Sequence, residues 1–123
     1  MKKKLVDLIN QAITLNGQGH FSEAERCYRK VLASDAGNVH ALQGLSIVRA
    51  QTGRLDEALQ LISRACANQP GDFLLHYNKA KILEKLEKEH EAAACYEKVI
   101  CMQPNFIEAH DNRIYLLKNR PRV

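Results

Sequence analysis

The sequence predicts an all-α protein of about seven helices, paired as antiparallel hairpins. Two observations predict it. Shifting the chain against itself by 34 residues brings small, aromatic and turn residues into coincidence, and apolar residues recur within each copy at helical spacing. The copies span about 5–38, 39–72 and 73–106. A further helix is expected at 107–118, and the whole chain, 1–123, is expected to form one domain.

Three positions define the repeat most clearly, two held by small residues and one by a large side chain. They are occupied by Ala12, Ser46 and Ala80, then by Ala24, Ala58 and Ala92, and lastly by Tyr28, Ile62 and Tyr96. Small side chains allow two helix axes to approach to the usual distance of about 8–10 Å. We therefore expect the two small positions to meet inside each hairpin, and the large side chain to fill the space between one hairpin and the next.

The first copy divides into two helices. The first, about 4–16, has a broad apolar face. It is expected to end at Gly17 and Gly19, because glycine accepts the left-handed conformation of a helix C-terminus. The second is expected at about 22–34. Ser22 is its candidate N-cap, and Glu25, three residues later, completes the pattern of a capping box.

The second and third copies repeat this arrangement, with helices at about 39–52 and 55–68, and then at about 72–86 and 89–102. Asp72 is predicted to cap the first helix of the third copy, since its carboxylate can accept from the free N–H groups of the first turn.

The turn inside the third hairpin is expected to differ from the other two. Glu87 stands where the first two copies have Gly19 and Gly53. A residue with a Cβ pays a steric cost in the left-handed region that glycine avoids. The sequence therefore predicts a looser or differently shaped turn at Glu87.

The composition is that of an ordered globular protein: 46% of residues are hydrophobic and 26% are charged. The formal net charge of +4 is concentrated at the chain ends and is too small to indicate nucleic-acid binding. Asp7, Asn10 and Gln11 interrupt the apolar run that a signal peptide needs, and no stretch has the length of a membrane span. We therefore expect a cytoplasmic protein with no membrane partner, whose four cysteines stay reduced.

The repeat over residues 5 to about 106 resembles that of the tetratricopeptide-repeat family, with a partial fourth unit to about 118. The resemblance implies an α-solenoid, a right-handed superhelix whose first helices line a concave groove. It also implies a last helix that caps the final hairpin. The groove would be lined by Ile9, Asn10, Ile13, Gln43, Ile47, Ala50, Leu74, Tyr77, Asn78, Lys81, Asp111, Asn112 and Tyr115.

Asparagine recurs at one position of these first helices, as Asn10, Asn78 and Asn112, and is interrupted by Gly44. Some family members, including O-GlcNAc transferases, use an asparagine series of this kind to bind the backbone of an extended peptide, because an amide both donates and accepts. The alternative is that these are ordinary exposed polar residues.

A second groove feature is the apolar pair Ile13 and Ile47 beside Tyr77, which would suit an apolar or aromatic anchor of a partner. These side chains could equally serve internal packing.

Co-chaperones of the resembling family hold the terminal carboxylate of a chaperone with a clamp of Lys, Asn and Arg side chains. The corresponding positions of this chain carry no cation, and the carboxylate clamp is therefore excluded. These positions are Ile9, Ile13, Gly44, Leu74 and Asn78.

No catalytic, cofactor or metal site is expected. His76 and His110 share a repeat position, but the resembling family uses this position for packing, and no set of carboxylates and histidines converges on it. No glycine-rich phosphate loop follows a strand, and no nucleophile has an evident base.

Three functions remain open. The first is a freestanding adaptor that binds a protein or peptide in its groove. The second is the substrate-selecting repeat module of a larger enzyme, such as a glycosyltransferase or sulfotransferase. The third is a self-assembling scaffold, a homo-oligomer in which the open face of the last helix stacks on another subunit.

Overall fold

The computed structural model describes residues 2–118, which form seven helices, and none of these residues lies in a β-strand. Within this range, no helix combines the length and apolar character needed to cross a bilayer. The helices are α1 Lys2–Gly17, α2 Phe21–Ser34, α3 Val39–Gln51, α4 Leu55–Asn68, α5 Phe73–Lys85, α6 Glu89–Met102 and α7 Ile107–Lys118. The all-α prediction is confirmed, with each helix within two residues of its expected bounds.

The chain divides into two compact units, Met1–Gln69 and Pro70–Val123. The first contains α1 to α4, which form two hairpins, and the second contains the hairpin α5–α6 followed by α7. That the chain folds as one domain stays a prediction. The polar segment 119–123, which the sequence indicates as a tail after the last helix, lies outside the described residues.

The small residues of the repeat are buried in the folded chain. All six have no exposed surface, and the pair from the first hairpin belongs to one buried cluster with Tyr28 and Val31. Because a larger side chain at such a position would separate the two helices, these residues set the close packing of each hairpin. They are Ala12, Ala24, Ser46, Ala58, Ala80 and Ala92.

The turn inside each hairpin has one residue in the left-handed conformation. It is glycine in the first unit, with φ of 83° at Gly19 and 82° at Gly53. In the second unit it is Glu87, with φ of 62°. The prediction of a different turn at Glu87 is wrong, because the chain accepts the strain of a side chain in this region and keeps the turn.

One backbone hydrogen bond explains why the turn is kept. In each hairpin the residue after the left-handed position donates its N–H to the carbonyl five residues earlier, which satisfies one of the free carbonyls at the helix end. The three bonds have nearly equal lengths: His20 to Leu15 at 2.9 Å, Arg54 to Arg49 at 2.8 Å, and Lys88 to Leu83 at 2.9 Å.

This turn also sets where the second helix of a hairpin begins. Helix α2 starts at Phe21 and its N-cap is His20, whose side chain makes no capping bond. The predicted capping box of Ser22 and Glu25 is therefore wrong. The chain is already helical at Ser22, and Glu25 instead accepts from Arg49 on α3 at 3.2 Å.

Helices α3 and α5, the first helices of the second and third hairpins, begin differently, each with a side-chain cap. The Asp72 carboxylate accepts from the N–H of Leu74 at 3.1 Å, so the predicted cap is confirmed. Asn38 plays the same part for α3 and accepts from Ala41 at 3.0 Å. These caps satisfy N–H groups that the first turn leaves free.

A network of four charges joins α2, α3 and α4 in the first unit. Arg49 is buried and forms ion pairs with Glu25 and with Glu57, both at 3.2 Å. Arg54 contacts the same two carboxylates. Because the buried guanidinium has two carboxylate partners, its charge is compensated within the fold.

Two histidines hold the segment that precedes their own helix. The Nε2 of His76 lies 2.8 Å from the carbonyl oxygen of Pro70, and the Nε2 of His110 lies 2.8 Å from that of Pro104. A carbonyl can only accept, so Nε2 carries the proton in both rings. Both histidines therefore have a backbone partner. Within residues 2–118, no three side chains of the ligating types come together as a metal site.

The four cysteines are not joined in disulfide bonds. Cys27 and Cys66 are buried, and Cys95 is half-buried, with burial as the main cause that raises the pKa of its thiol. A raised pKa keeps the thiol neutral and unreactive, which fits its use as a small apolar side chain.

Candidate protein-interaction surface

In the first unit, the predicted groove residues lie on α1 and α3, two helices that touch each other. Asn10 and Ile13 are exposed, and 57% of the Ile13 surface is accessible to solvent. Ile9, Gln43 and Ile47 are half-buried, and Ile9 packs against the core cluster. This part of the surface therefore offers one exposed aliphatic side chain and one exposed amide, supported by the half-buried residues.

The interruption of the asparagine series at Gly44 has a packing cause. A Cβ added to Gly44 would lie 2.2 Å from Cζ of Tyr28 and 2.4 Å from its hydroxyl oxygen. Tyr28 is only 3% exposed, so its ring has little room to move. The first unit thus uses this position to admit an aromatic ring from the preceding hairpin, and no side chain can stand there.

In the second unit, the predicted residues lie on α5 and α7, and the ring of Tyr77 on α5 has the most contacts among them. This ring packs edge-on against Phe106, with centroids 4.8 Å apart, and is tilted against Tyr96 at 6.0 Å. Phe73 also packs edge-on against Phe106, with ring centroids 5.4 Å apart. Edge-to-face contacts of this kind are favourable and directional, so they fix the orientation of Tyr77.

A chain of hydrogen bonds runs beneath Tyr77. Asn112 lies 3.4 Å from the hydroxyls of both Tyr77 and Tyr96, and donates to them through its Nδ2. Tyr96 in turn donates to the carboxylate of Glu84 at 2.7 Å. Burial, followed by this bond and the charge of Glu84, raises the pKa of the Tyr96 phenol well above its ordinary range. The side-chain nitrogen of Asn112 is thus directed into the protein.

The remaining predicted residues of this unit provide its accessible chemistry. The Nζ of Lys81 stands 5.4 Å from the centroid of the Tyr77 ring, within the range of a cation–π contact. Leu74 is 46% exposed, Tyr115 is 60% exposed, and Asp111 is also exposed. Together with the half-buried Asn78, these side chains give a surface that carries a cation, an amide and two large apolar groups.

Two members of this arrangement were not predicted as site residues. Glu84 and Phe106 support the Tyr77 surface from beneath, through Tyr96 and through ring packing respectively. Glu84 corresponds to Asn16 and Ala50 in the other copies, so the repeat pattern holds no signal for it. For Phe106, the one signal in the sequence is an aromatic residue at the end of the third copy.

Comparison with known proteins agrees with the hairpin pattern. Sequence profiles of the tetratricopeptide repeat match residues 9–73 and 74–106. The curated relative "Cellulose synthase operon protein C" of Pseudomonas fluorescens is 44% identical over an alignment of 66 residues, and the match covers 50% of this chain. This chain covers 5% of the length of that relative.

Solved structures share the fold at low sequence identity. The first tetratricopeptide-repeat domain of Spaghetti (RPAP3), bound to the HSP90 peptide SRMEEVD, is 21% identical, with a TM-score of 0.90 over 96% of this chain and 94% of that one. A mutant O-GlcNAc transferase of Thermobaculum terrenum is 23% identical, with a TM-score of 0.87 over 94% of this chain and 22% of that one. With profile matches across three repeats, the chain belongs to the tetratricopeptide repeat family.

Proposed function

We propose that this chain is a protein-interaction module, a non-catalytic adaptor acting in the cytoplasm, that holds an extended segment of a protein partner against its first helices. The observation that carries the proposal is the Tyr77 surface of the second unit. There, a ring held by edge-on contacts and by a hydrogen bond stands beside the exposed Lys81, and Leu74 and Tyr115 are exposed on the helices of the same unit. An orientation fixed before binding reduces the entropy that association must overcome.

The chemistry of this surface favours a partner segment with an apolar side chain next to an acidic one. Leu74 and Tyr115 give apolar contact area, and Lys81 gives a positive charge that is exposed and held near the Tyr77 ring. Asn78 can both donate to and accept from a peptide backbone. Asn112, by contrast, supports the surface from within, so in the second unit the asparagine series contributes Asn78 alone.

The solved relatives support peptide binding without specifying the peptide. Two structures contain peptides of other proteins, SRMEEVD from HSP90 and SGPTIEEVD from HSP70. The five positions that would clamp a terminal carboxylate hold no cation in this chain. We therefore expect recognition of a different kind of segment, one contacted along its length rather than held by its terminal carboxylate.

The test is a peptide-display selection on the immobilised chain, followed by fluorescence anisotropy with the best peptide. Lys81→Glu and Asn78→Ala should each raise the Kd by about tenfold or more, because each removes a direct contact. Lys30→Glu, an equal charge change on the exposed surface of α2, should leave the Kd unchanged. Equal binding by all variants, with unchanged circular dichroism, would mean that Tyr77 and its neighbours do not form the binding surface.

A second candidate function is a substrate-selecting module of a larger enzyme. The observation in its favour is the 44% identity to a short part of a much longer cellulose synthase operon protein. The discriminating measurement is the size of the natural protein, by immunoblot of source cells together with the coding sequence that follows residue 123. A product much larger than 13.9 kDa supports the module, and a product of that mass supports the adaptor.

A further inference from the structure

Helix α7 exposes a stripe of large aliphatic side chains. Ile107 is 66% exposed, Ile114 is 47% exposed and Leu117 is 45% exposed. Spacings of seven and three residues place them on one face of the helix, opposite Ala109 and Leu116, which are buried. Exposed aliphatic groups gathered on one helix face are typical of a surface that another helix covers.

This face corresponds to the one that the other first helices bury inside their hairpins. Ile114 shares its repeat position with Ala12 and Ala80, which have no exposed surface, and Leu117 shares its position with Leu83, which is 1% exposed. The stripe therefore continues an interface that the fold already uses. Isoleucine at the small position does not allow the close approach of a hairpin partner, so the face suits a helix at a wider separation.

The charges beside the stripe are self-complementary. Asp111 and Lys118 are both exposed, lie on the same flank of the stripe and are two helical turns apart. No ion pair of either residue is present among residues 2–118. The midpoint between them falls beside Ile114. When two copies of α7 run antiparallel about a two-fold axis near Ile114, Asp111 of each copy therefore faces Lys118 of the other.

We propose that two copies of this chain associate through α7, antiparallel, with Ile114 and Leu117 at the centre and two Asp111–Lys118 pairs at the flank. A two-fold interface of this kind uses the same patch on both copies and closes at the dimer. It does not depend on the proposed peptide binding, since the readout is mass. Loss of peptide binding with an intact dimer, or the reverse, separates the two proposals.

Sedimentation equilibrium of the 123-residue chain tests the dimer first. We expect a monomer–dimer equilibrium, with the mass rising from 13.9 kDa toward twice that value at concentrations up to about 0.5 mM. Ile114→Ala keeps a strong helix former and should weaken the dimer by at least about tenfold, while Lys30→Glu should have no effect. A mass that stays at the monomer value, or that grows past the dimer, overturns the proposal.

A charge-exchange experiment tests the antiparallel arrangement. The D111K variant has lysine at both flank positions, 111 and 118, and the K118D variant has aspartate at both. In a dimer of either variant, like charges would face each other twice, so each variant alone should be monomeric. Mixing the two should form a heterodimer, since every pair is then of opposite charge. If the wild-type chain dimerises but the mixture stays monomeric, the interface does not have this geometry and the proposal fails.

Discussion

Replacing Glu87 by glycine should stabilise the protein, although it removes a side chain. Glu87 has φ of 62° in a turn whose counterparts are glycines at 83° and 82°. The left-handed region costs an ordinary L-residue about 1–2 kcal/mol. Glycine removes this cost but also makes the unfolded chain more flexible, which reduces the gain in stability by about 0.4–1 kcal/mol. The expected net gain is therefore about 0.5–1 kcal/mol.

This gain is measurable in a protein of this size. The entropy of unfolding is about 2.1 cal/mol/K per residue, so 123 residues give about 0.26 kcal/mol/K and a rise in Tm of about 2–4 °C. Urea denaturation followed by far-ultraviolet circular dichroism gives the free energy independently. The midpoint should rise while the slope with denaturant stays constant, because Glu87 is exposed and the buried area does not change.

Two control variants separate backbone strain from charge. Glu87→Ala removes the same negative charge from the end of α5 but keeps a Cβ, so its gain should be clearly smaller. Gly53→Ala is the converse change at a position with nothing within 4 Å of the added Cβ, and it should destabilise by about 1 kcal/mol through conformation alone. If Glu87→Gly is no more stable than Glu87→Ala, the strain argument is refuted.

Three further predictions concern packing, titration and ligand preference. Gly44→Ala should lower the free energy of unfolding by about 2 kcal/mol in urea denaturation, because the new Cβ would overlap the buried Tyr28 ring. The Tyr96→Phe variant and the wild type should show the same number of tyrosines ionising below about pH 11 in ultraviolet absorbance. The reason is that Tyr96 stays protonated while the chain is folded. SRMEEVD should show no saturable binding up to about 1 mM in anisotropy, because the clamp positions lack cations.

Each of these has a result that would contradict it. Wild-type stability in Gly44→Ala would mean that the Tyr28 ring can rotate away. One phenol more in the wild type than in Tyr96→Phe would show that Tyr96 ionises in the folded chain. Saturable binding of SRMEEVD with a Kd below about 1 mM would mean that other residues supply the clamp.

The raised pKa of Tyr96 also sets a direction for stability against pH. The folded chain keeps the phenol proton, whereas the unfolded chain releases it above its ordinary pKa of about 10. The contribution of Tyr96 to the free energy of unfolding is therefore complete below about pH 10. It decreases as the pH rises past that value, by up to about 1.4 kcal/mol per pH unit. Tyr96→Phe should flatten this part of the stability curve.

The sequence was sufficient to place all seven helices, because the 34-residue repeat fixes the register and the apolar spacing identifies each segment as helical. The small residues at the helix crossings followed from the same register. What failed was local detail at the turns. The conformational preference of glutamate predicts a different turn at Glu87, whereas the hydrogen bond from Lys88 to Leu83 and the packing of two helices determine the backbone there.

The candidate surface was predictable only as a set of positions. The repeat indicates which side chains lie on first helices, and Ile13, Leu74, Lys81 and Tyr115 are indeed exposed there. It could not indicate that Asn112 turns its amide inward, because that depends on two hydroxyls brought near it by different helices.

Nor could the sequence alone explain Gly44. In the sequence, Gly44 only interrupts a series of asparagines. The reason that glycine is needed there is Tyr28, a residue 16 positions away in the chain whose ring lies against Gly44 in the fold. Contacts of this kind are not periodic, so a repeat analysis does not detect them.

The two histidine bonds have a consequence for nuclear magnetic resonance. Because Nε2 of His76 and of His110 donates to a proline carbonyl, each ring carries a proton at a known place against the backbone. The chemical shift of such a proton changes when its bond is lost. The two Nε2–H resonances would therefore give the segment at Pro70 and the segment at Pro104 each its own reporter of whether it stays docked on the helix that follows.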